Sequence, residues 1–148
     1  MANIEKHAQV VWTGSLGEGS GQIVASSSKA LDSLGISWQA RALGSDALTS
    51  PEEMLAAAHA SCFAMAMSAG LGRRQLSAER IEVTAACGFS LGEGGAFISS
   101  MRLSVRASIA GISSQDFQAL AEETKETCPV SRALKGNVPI TLESVQLG

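Results

Sequence analysis

The chain has 148 residues, a formal net charge of −3 and three cysteines. This length suits one domain over residues 1–148. Its eleven basic residues are scattered and form no basic stripe, so we expect no nucleic-acid partner. An odd cysteine count without any C-x-x-C argues against a disulfide scaffold and a zinc knuckle. The N-terminus lacks the features of a signal peptide, so we expect a cytoplasmic protein whose thiols are reduced.

The first 48 residues predict a small antiparallel sheet. Alternating runs at 9–13, 22–25 and 36–41 are typical of strands, and the glycine-rich segment 14–21 predicts a hairpin loop between the first two. That loop is not followed by the helix and Lys-Ser/Thr of a P-loop, so it does not indicate a phosphate site.

A long helix follows the sheet. Ser50 is a suitable cap, Pro51 suits the first helical position, and Glu53 completes a capping-box pattern. The helix is predicted to run to about Gly70, with Gly70 and Gly72, together with Arg73 and Arg74, as stop signals.

Small or apolar side chains occur on every face of this helix, which predicts that sheet or another subunit encloses it. The stretch is mostly alanine and includes His59, so it is a poor membrane span and we expect no membrane partner.

The second half predicts a hairpin of two long strands, a helix opening at Ser113, a short helix after Cys128-Pro129 and a closing strand at 139–146. In the second hairpin strand, over 96–110, polar and apolar residues alternate, so one face is wet and the other is core. The predicted order β-β-β-α-β-β-α-α-β separates helices from antiparallel sheet and favours an α+β fold.

Two cysteines stand in settings that suit thiol chemistry. Cys62 lies within the long helix, where it is either a small buried hydrophobe or a nucleophile that needs a nearby cation. Arg41, at the end of the third predicted strand, is a candidate for that charge. Cys128 is predicted at a helix N-terminus, whose partial positive charge favours a thiolate. Cys87, inside a strand, is interpreted as core.

A metal site is an alternative interpretation. His59 and Cys62 are three residues apart on one helix face, as two zinc ligands would be. A third ligand from His7, Cys128 or a carboxylate would be needed. We expect no metal, and expect His59 to form a hydrogen bond in the interior.

Two motifs resemble a known family. The run SPEEMLAAAHASCF at 50–63 is similar to the central-helix motif of the OsmC/Ohr family of thiol peroxidases, and CPVS at 128–131 resembles its second cysteine motif. The similarity extends over essentially the whole chain. It implies an OsmC-like fold, with antiparallel sheets wrapped around a long central helix in an intertwined homodimer. The place of Arg41, just before the helix, resembles the osmotically inducible (OsmC) branch.

The resemblance implies a two-cysteine peroxidase without cofactor or metal. Cys62 would attack the peroxide and become a sulfenic acid, and Cys128 would condense with it to form a disulfide. Arg41 would hold Cys62 as a thiolate, and Glu52 would orient Arg41. Organic hydroperoxides are the expected substrates, with hydrogen peroxide as a further one, and a dithiol or lipoylated protein is the expected reductant.

Helix geometry adds a constraint, because the ten residues from Glu52 to Cys62 rise about 15 Å along one helix. This distance suggests the hypothesis of a homodimer in which Glu52 of one chain reaches the Arg41 and Cys62 site of the other.

Four apolar residues, Phe63, Met65, Phe97 and Met101, are expected either to line a substrate pocket beside the thiol or to be ordinary core. The competing functional interpretation is a non-enzymatic dimeric stress protein, a redox sensor or a carrier of small apolar ligands.

Overall fold

In the computed structural model, which describes residues 3–148, strands and helices follow the order β-β-β-α-α-β-β-α-α-β. The described backbone forms two compact units, which meet between Met54 and Leu55 in the sequence. The mixed architecture of two sheets and several helices confirms the predicted α+β class. The prediction of one domain over 1–148 stays a prediction.

The first unit contains a sheet of three strands, β1 (Ala8–Thr13), β2 (Ser20–Ser26) and β3 (Gly35–Ile36). Its order is β1-β2-β3, and both pairs are antiparallel. The glycine-rich segment joins β1 to β2 as predicted.

The predicted third strand is wrong beyond its first residue. Trp38–Leu43 forms a short helix, α1, whose cap is Ser37: its backbone is extended and its Oγ accepts the N–H of Ala40 at 3.0 Å. A serine cap followed by good helix formers outweighs an alternation only a few residues long. Arg41 therefore lies in the last turn of a helix instead of at a strand end.

The long helix α2 spans Pro51–Arg73. Ser50 Oγ accepts the N–H of Glu53 at 3.1 Å, which confirms the predicted cap. The helix ends at Arg73, one of the predicted stop signals, which is three residues beyond the predicted end at Gly70, so both glycines lie inside the helix.

The second unit contains the other sheet, formed by β4 (Ala78–Gly92), β5 (Gly95–Ile109) and β6 (Ile140–Leu147). The β4–β5 hairpin is antiparallel as predicted, but β6 runs parallel to β5. Two helices, α3 (Ser114–Thr127) and α4 (Pro129–Leu134), connect those strands. A helical crossover returns the chain in its original direction, which makes the pairing parallel.

The core of this unit lies between one face of α2, the apolar face of β5 and helix α3. Its fully buried members include Phe63, Met67, Leu71, Leu103, Phe117 and Leu120. Sheet covers this face of α2, as predicted. Met65, on the opposite face, is 66% exposed, so the predicted cover by another subunit stays a prediction for that face.

Helix α2 also has the length and mean hydropathy, 1.4, of a membrane span, and it is the one such helix in the described part of the chain. Core helices of soluble proteins often meet the same criteria, although only 28% of the most apolar stretch of α2 is buried within this chain. The absence of a membrane partner stays a prediction.

Because α2 lies close to α3 at Gly70 but not at Gly72, replacing each glycine by alanine should have opposite effects on the free energy of unfolding. A Cβ at Gly70 would lie 2.7 Å from Leu120 Cδ1, whereas a Cβ at Gly72 meets nothing within 4 Å. Gly72→Ala should raise the free energy of unfolding by up to about 1 kcal/mol, because alanine loses less backbone entropy. Gly70→Ala should lower it by about 1 kcal/mol or more through overpacking.

Urea unfolding of both variants beside the wild type measures this difference. Equal stabilisation by the two substitutions would contradict the close contact between Gly70 and Leu120.

Candidate functional site

The structure brings Cys62 and Cys128 together. The half-buried Cys62 thiol on α2 packs against the core cluster that contains Cys128, and it lies close enough to the Cys128 side chain and the Val130 backbone for both to influence its pKa. Cys128 is fully buried and immediately precedes α4. All three cysteines are free thiols. The site is thus a dithiol with one thiol on α2 and the other at the junction of α3 and α4, far apart in the sequence.

Local sequence places Cys128 at this junction. Helix α3 ends where the Cys128 N–H bonds the Thr124 carbonyl at 2.8 Å, and Cys128 itself is non-helical, with φ −56° and ψ 126°. Pro129 disfavours the helical region for the residue before it and is itself suited to start a helix. The proline therefore ends one helix and begins the next, with the thiol between them.

The surroundings of Cys62 raise the pKa of its thiol. The largest cause is burial, which disfavours the thiolate, and the adjacent Cys128 side chain adds to it, while the Val130 backbone hydrogen bond acts in the opposite direction. An ordinary thiol is only about 3% thiolate at pH 7, and a raised pKa reduces that fraction further. A reactive Cys62 needs positive charge to offset these effects.

His59 forms the interior hydrogen bond predicted for it. Its Nε2 lies 2.7 Å from Ser131 Oγ, and both side chains are buried. Burial lowers the pKa of His59, so the imidazole is neutral at physiological pH. Sequence reasoning missed Ser131 as the partner, although its spacing of three residues after Cys128 matches that of His59 before Cys62.

The zinc interpretation lacks a ligand set in the described part of the chain. No group of three His, Cys, Asp or Glu side chains within residues 3–148 is placed to hold a metal ion. His59 instead uses one ring nitrogen to bind Ser131.

Arg41 and Glu52 form an ion pair in the first unit. Arg41 Nε and Nη2 both donate to Glu52 Oε1, at 2.9 and 2.7 Å, and the Glu52 side chain is buried. The two donors fix the guanidinium plane relative to the carboxylate. This contact agrees with the expected orienting role of Glu52.

The pairing corrects one part of the dimer hypothesis. Glu52 was expected to reach Arg41 of the other chain, but both members belong to the same chain. Glu52 follows the helix cap by two residues, so the loop after α1 suffices to close the pair locally. Its second oxygen, Oε2, is buried and has no hydrogen-bond partner within residues 3–148.

Four apolar residues were expected either to line a substrate pocket or to be core. The structure divides them into two groups by their exposure. Phe63 and Met101 are fully buried, whereas Met65 and Phe97 are 66% and 52% exposed. Phe63 and Met65 lie on different faces of α2, because residues two positions apart in a helix are separated by about 200° around its axis. The core alternative therefore holds for Phe63 and Met101 and is wrong for Met65 and Phe97, and the substrate pocket stays a prediction. Cys87 is half-buried in β4, opposite Met101 of β5.

The chain is similar to known proteins over nearly its whole length. A family described as OsmC-like protein matches residues 44–143. Peroxiredoxin OsmC of Escherichia coli (strain K12) is 31% identical over 137 residues, covering 93% of this chain and 94% of the relative. The organic hydroperoxide resistance protein of Xanthomonas axonopodis pv. citri (strain 306) is 31% identical over 144 residues, covering 96% and 98%.

Solved structures of OsmC-like and organic hydroperoxide resistance proteins have the same fold as this chain. The organic hydroperoxide resistance protein OhrB of Bacillus subtilis superposes with a TM-score of 0.70 at 25% identity, over 94% of this chain and 98% of that one. An OsmC-like protein of unknown function from Vibrio cholerae has the same fold, with a TM-score of 0.72 at 15% identity. Relatives of both branches are equally identical to this chain, so the preference for the OsmC branch stays a prediction.

The causes of the Cys62 shift predict how the thiol responds when its neighbour is removed. In Cys128→Ala, the hydrogen bond and the charge interaction with Cys128 are lost, and both raise the pKa of Cys62. The pKa of Cys62 should therefore fall, and its alkylation by iodoacetamide should reach half-maximal rate at a lower pH than in the wild type.

Peptide mass spectrometry of samples alkylated across a pH series reports on Cys62 alone. Cys87→Ala is the matched control and should leave the profile unchanged. A Cys62 profile in Cys128→Ala that is unchanged or shifted to higher pH would contradict the contact between the two thiols.

Proposed function

We propose that this chain, which belongs to the OsmC-like protein family, is a cysteine peroxidase that reduces organic hydroperoxides. The observation that carries the proposal is the proximity of the Cys62 and Cys128 thiols in one core cluster. One of them is partly exposed and the other is buried beside it, as an attacking and a resolving cysteine need to be. The relatives named peroxiredoxin and organic hydroperoxide resistance protein support this class of reaction.

The reaction needs two steps on the protein. The Cys62 thiolate attacks one peroxide oxygen, the O–O bond breaks, and the alcohol leaves after taking up a proton. Sulfur is oxidised to a sulfenic acid as the peroxide is reduced. Cys128 then attacks the Cys62 sulfur, water leaves, and a disulfide forms. An external dithiol, either a small molecule or a lipoylated protein, returns the disulfide to two thiols.

Arg41 is the proposed source of the positive charge that Cys62 needs. A guanidinium near a thiol favours the thiolate, and it also stabilises the negative charge that develops on the departing oxygen. Glu52 holds the guanidinium through two hydrogen bonds. Together the pair offsets the effect of burial on the Cys62 thiol.

A homodimer is the proposed arrangement that completes the site. Ten helical residues separate Glu52 from Cys62, a rise of about 15 Å, so we assign the Arg41–Glu52 pair of one chain to the dithiol of its partner. The uncovered face of α2, marked by Met65, supports a second chain as its cover. The first unit also exposes large apolar side chains, including Val10, Val11, Trp12, Val24, Leu34 and Leu48.

The proposed substrates are organic peroxides more than hydrogen peroxide. The exposed Met65 and Phe97 provide apolar surface that a partner chain converts into a pocket wall. A reducing compartment keeps both cysteines in the thiol state, so the proposed location of the protein is the cytoplasm.

Stopped-flow consumption of cumene hydroperoxide tests the enzyme proposal. Wild-type protein should consume one peroxide and two thiols per chain rapidly. Cys62→Ser should consume none, because the nucleophile is absent, and Cys128→Ser should stop after one turnover with a sulfenic acid on Cys62.

Cys87→Ser is the matched control and should behave as wild type. Slow consumption that does not depend on Cys62 would remove the peroxidase and leave a redox sensor or an apolar-ligand carrier. A reaction with cumene hydroperoxide no faster than with hydrogen peroxide would contradict the apolar substrate class.

Mixed dimers test whether the site is shared between chains. Arg41→Ala and Cys62→Ser homodimers should each be nearly inactive. When equal amounts are unfolded and refolded together, a hybrid dimer has one site with an intact Cys62 from one chain and an intact Arg41 from the other. Random reassortment makes about half the dimers hybrid, so about a quarter of wild-type activity should return.

Activity that stays at the level of the separate variants would show that Arg41 serves the Cys62 of its own chain. Sedimentation of a monomer at micromolar concentration would contradict the dimer itself.

A further inference from the structure

A buried hydrogen bond joins the two segments that carry the cysteines. His59 Nε2 and Ser131 Oγ are 2.7 Å apart, with the side chains 0% and 2% exposed. His59 precedes Cys62 by three residues on α2, and Ser131 follows Cys128 by three residues on α4. The His59–Ser131 bond thus lies about one helical turn from the sulfur atom on each segment.

We infer that His59 and Ser131 are positioning residues for disulfide closure, holding the start of α4, and with it Cys128, against Cys62. This inference rests on the proposed function. Closure joins the sulfenic sulfur of Cys62 to the Cys128 sulfur and releases water. The new bond is about 2.05 Å long and tolerates only a narrow range of backbone separations. A small displacement of α4 would slow this step.

The polar contacts of Cys62 itself cannot hold the start of α4 in place throughout the reaction. Its contacts with Cys128 and with the Val130 backbone both involve the Cys62 sulfur. When that sulfur gains an oxygen, its geometry and hydrogen bonding change. The His59–Ser131 bond contains neither sulfur, so it persists while Cys62 is oxidised.

Helix α4 needs such a tether. It has six residues, and its cap residue Cys128 makes no side-chain capping bond. A helix this short is not stable by itself, because nucleation costs more than its few hydrogen bonds return. Contacts with the neighbouring elements therefore determine where its first turn lies.

His59 suits a positional role more than proton transfer. Its Nδ1 is buried and has no hydrogen-bond partner within residues 3–148, so a protonated ring would bury an unpaired donor and a charge. A neutral imidazole and a hydroxyl form the bond with either group as donor. The bond therefore holds position without taking up a proton.

Ser131→Ala tests the inference, since it removes one hydroxyl and little volume. Thr124→Val is the matched control, because Thr124 Oγ1 is also buried but bonds the Leu120 carbonyl within α3. Ser131→Thr keeps the hydroxyl and should restore function. His59→Phe removes the bond from the α2 side, so the test does not depend on one variant folding.

Closure is measured without peroxide by using Ellman's reagent on proteins that carry Cys87→Ala. Cys62 attacks the reagent and releases one thionitrobenzoate, and Cys128 then displaces the second as the disulfide forms. In Ser131→Ala, the second release should slow about tenfold, the effect of losing one buried hydrogen bond, while the first changes less than about twofold. Thr124→Val should leave both releases unchanged.

The double variant His59→Phe/Ser131→Ala should close no more slowly than either single variant, because both remove one interaction. With excess cumene hydroperoxide, Ser131→Ala should also accumulate sulfinic acid on Cys62, because its sulfenic acid persists longer. Mass spectrometry of the Cys62 peptide measures this product.

Closure of Ser131→Ala at the wild-type rate, or equal slowing in Thr124→Val, would overturn the inference. So would a wild type that does not close with Ellman's reagent. A wild type that closes with the reagent but consumes no cumene hydroperoxide would refute the proposed function, while the closure rates would still decide the role of the His59–Ser131 bond.

Discussion

The chemistry of this protein depends on holding two thiols from distant parts of the chain in contact. The apolar core does this: one face of α2 packs against β5 and α3, which fixes Cys62 on one side and the end of α3 on the other. Pro129 then stops α3 and places Cys128 at the junction with α4. Packing and one proline thus create the dithiol.

The same packing works against reactivity. Burial raises the pKa of the Cys62 thiol, and the neighbouring Cys128 raises it further. A core that positions a nucleophile but suppresses its ionisation needs a compensating charge. The Arg41–Glu52 pair is already formed within the first unit. The exposed apolar face of α2 offers a surface that a second chain would cover. In the proposed dimer, one interface brings the Arg41–Glu52 pair to the dithiol and covers this face of α2.

Much of this architecture is predictable from local signals in the sequence. The sequence predicts the Ser50 cap, the β4–β5 hairpin and the Cys128-Pro129 junction correctly, because capping, alternation and proline act over a few residues. Local signals fail where alternatives of similar local energy compete. Residues 38–41 were predicted as strand, but the Ser37 cap favours the helix α1. The parallel direction of β6 was also not predicted, because it depends on the helical crossover that connects β5 to β6.

The site shows the same division. Both cysteines were found from their motifs, and an interior hydrogen bond was expected for His59. Its partner Ser131 was not found, because a contact across 72 residues depends on tertiary packing. The same limit explains why Met65 was grouped with Phe63, although the two lie on different faces of α2.

Peptide mapping after treatment with one equivalent of cumene hydroperoxide tests whether Cys62 and Cys128 act as a redox pair. We expect a single intrachain disulfide between Cys62 and Cys128, with Cys87 still a free thiol. A disulfide that includes Cys87, a crosslink between chains, or an unoxidised Cys62 after the peroxide is consumed would contradict it.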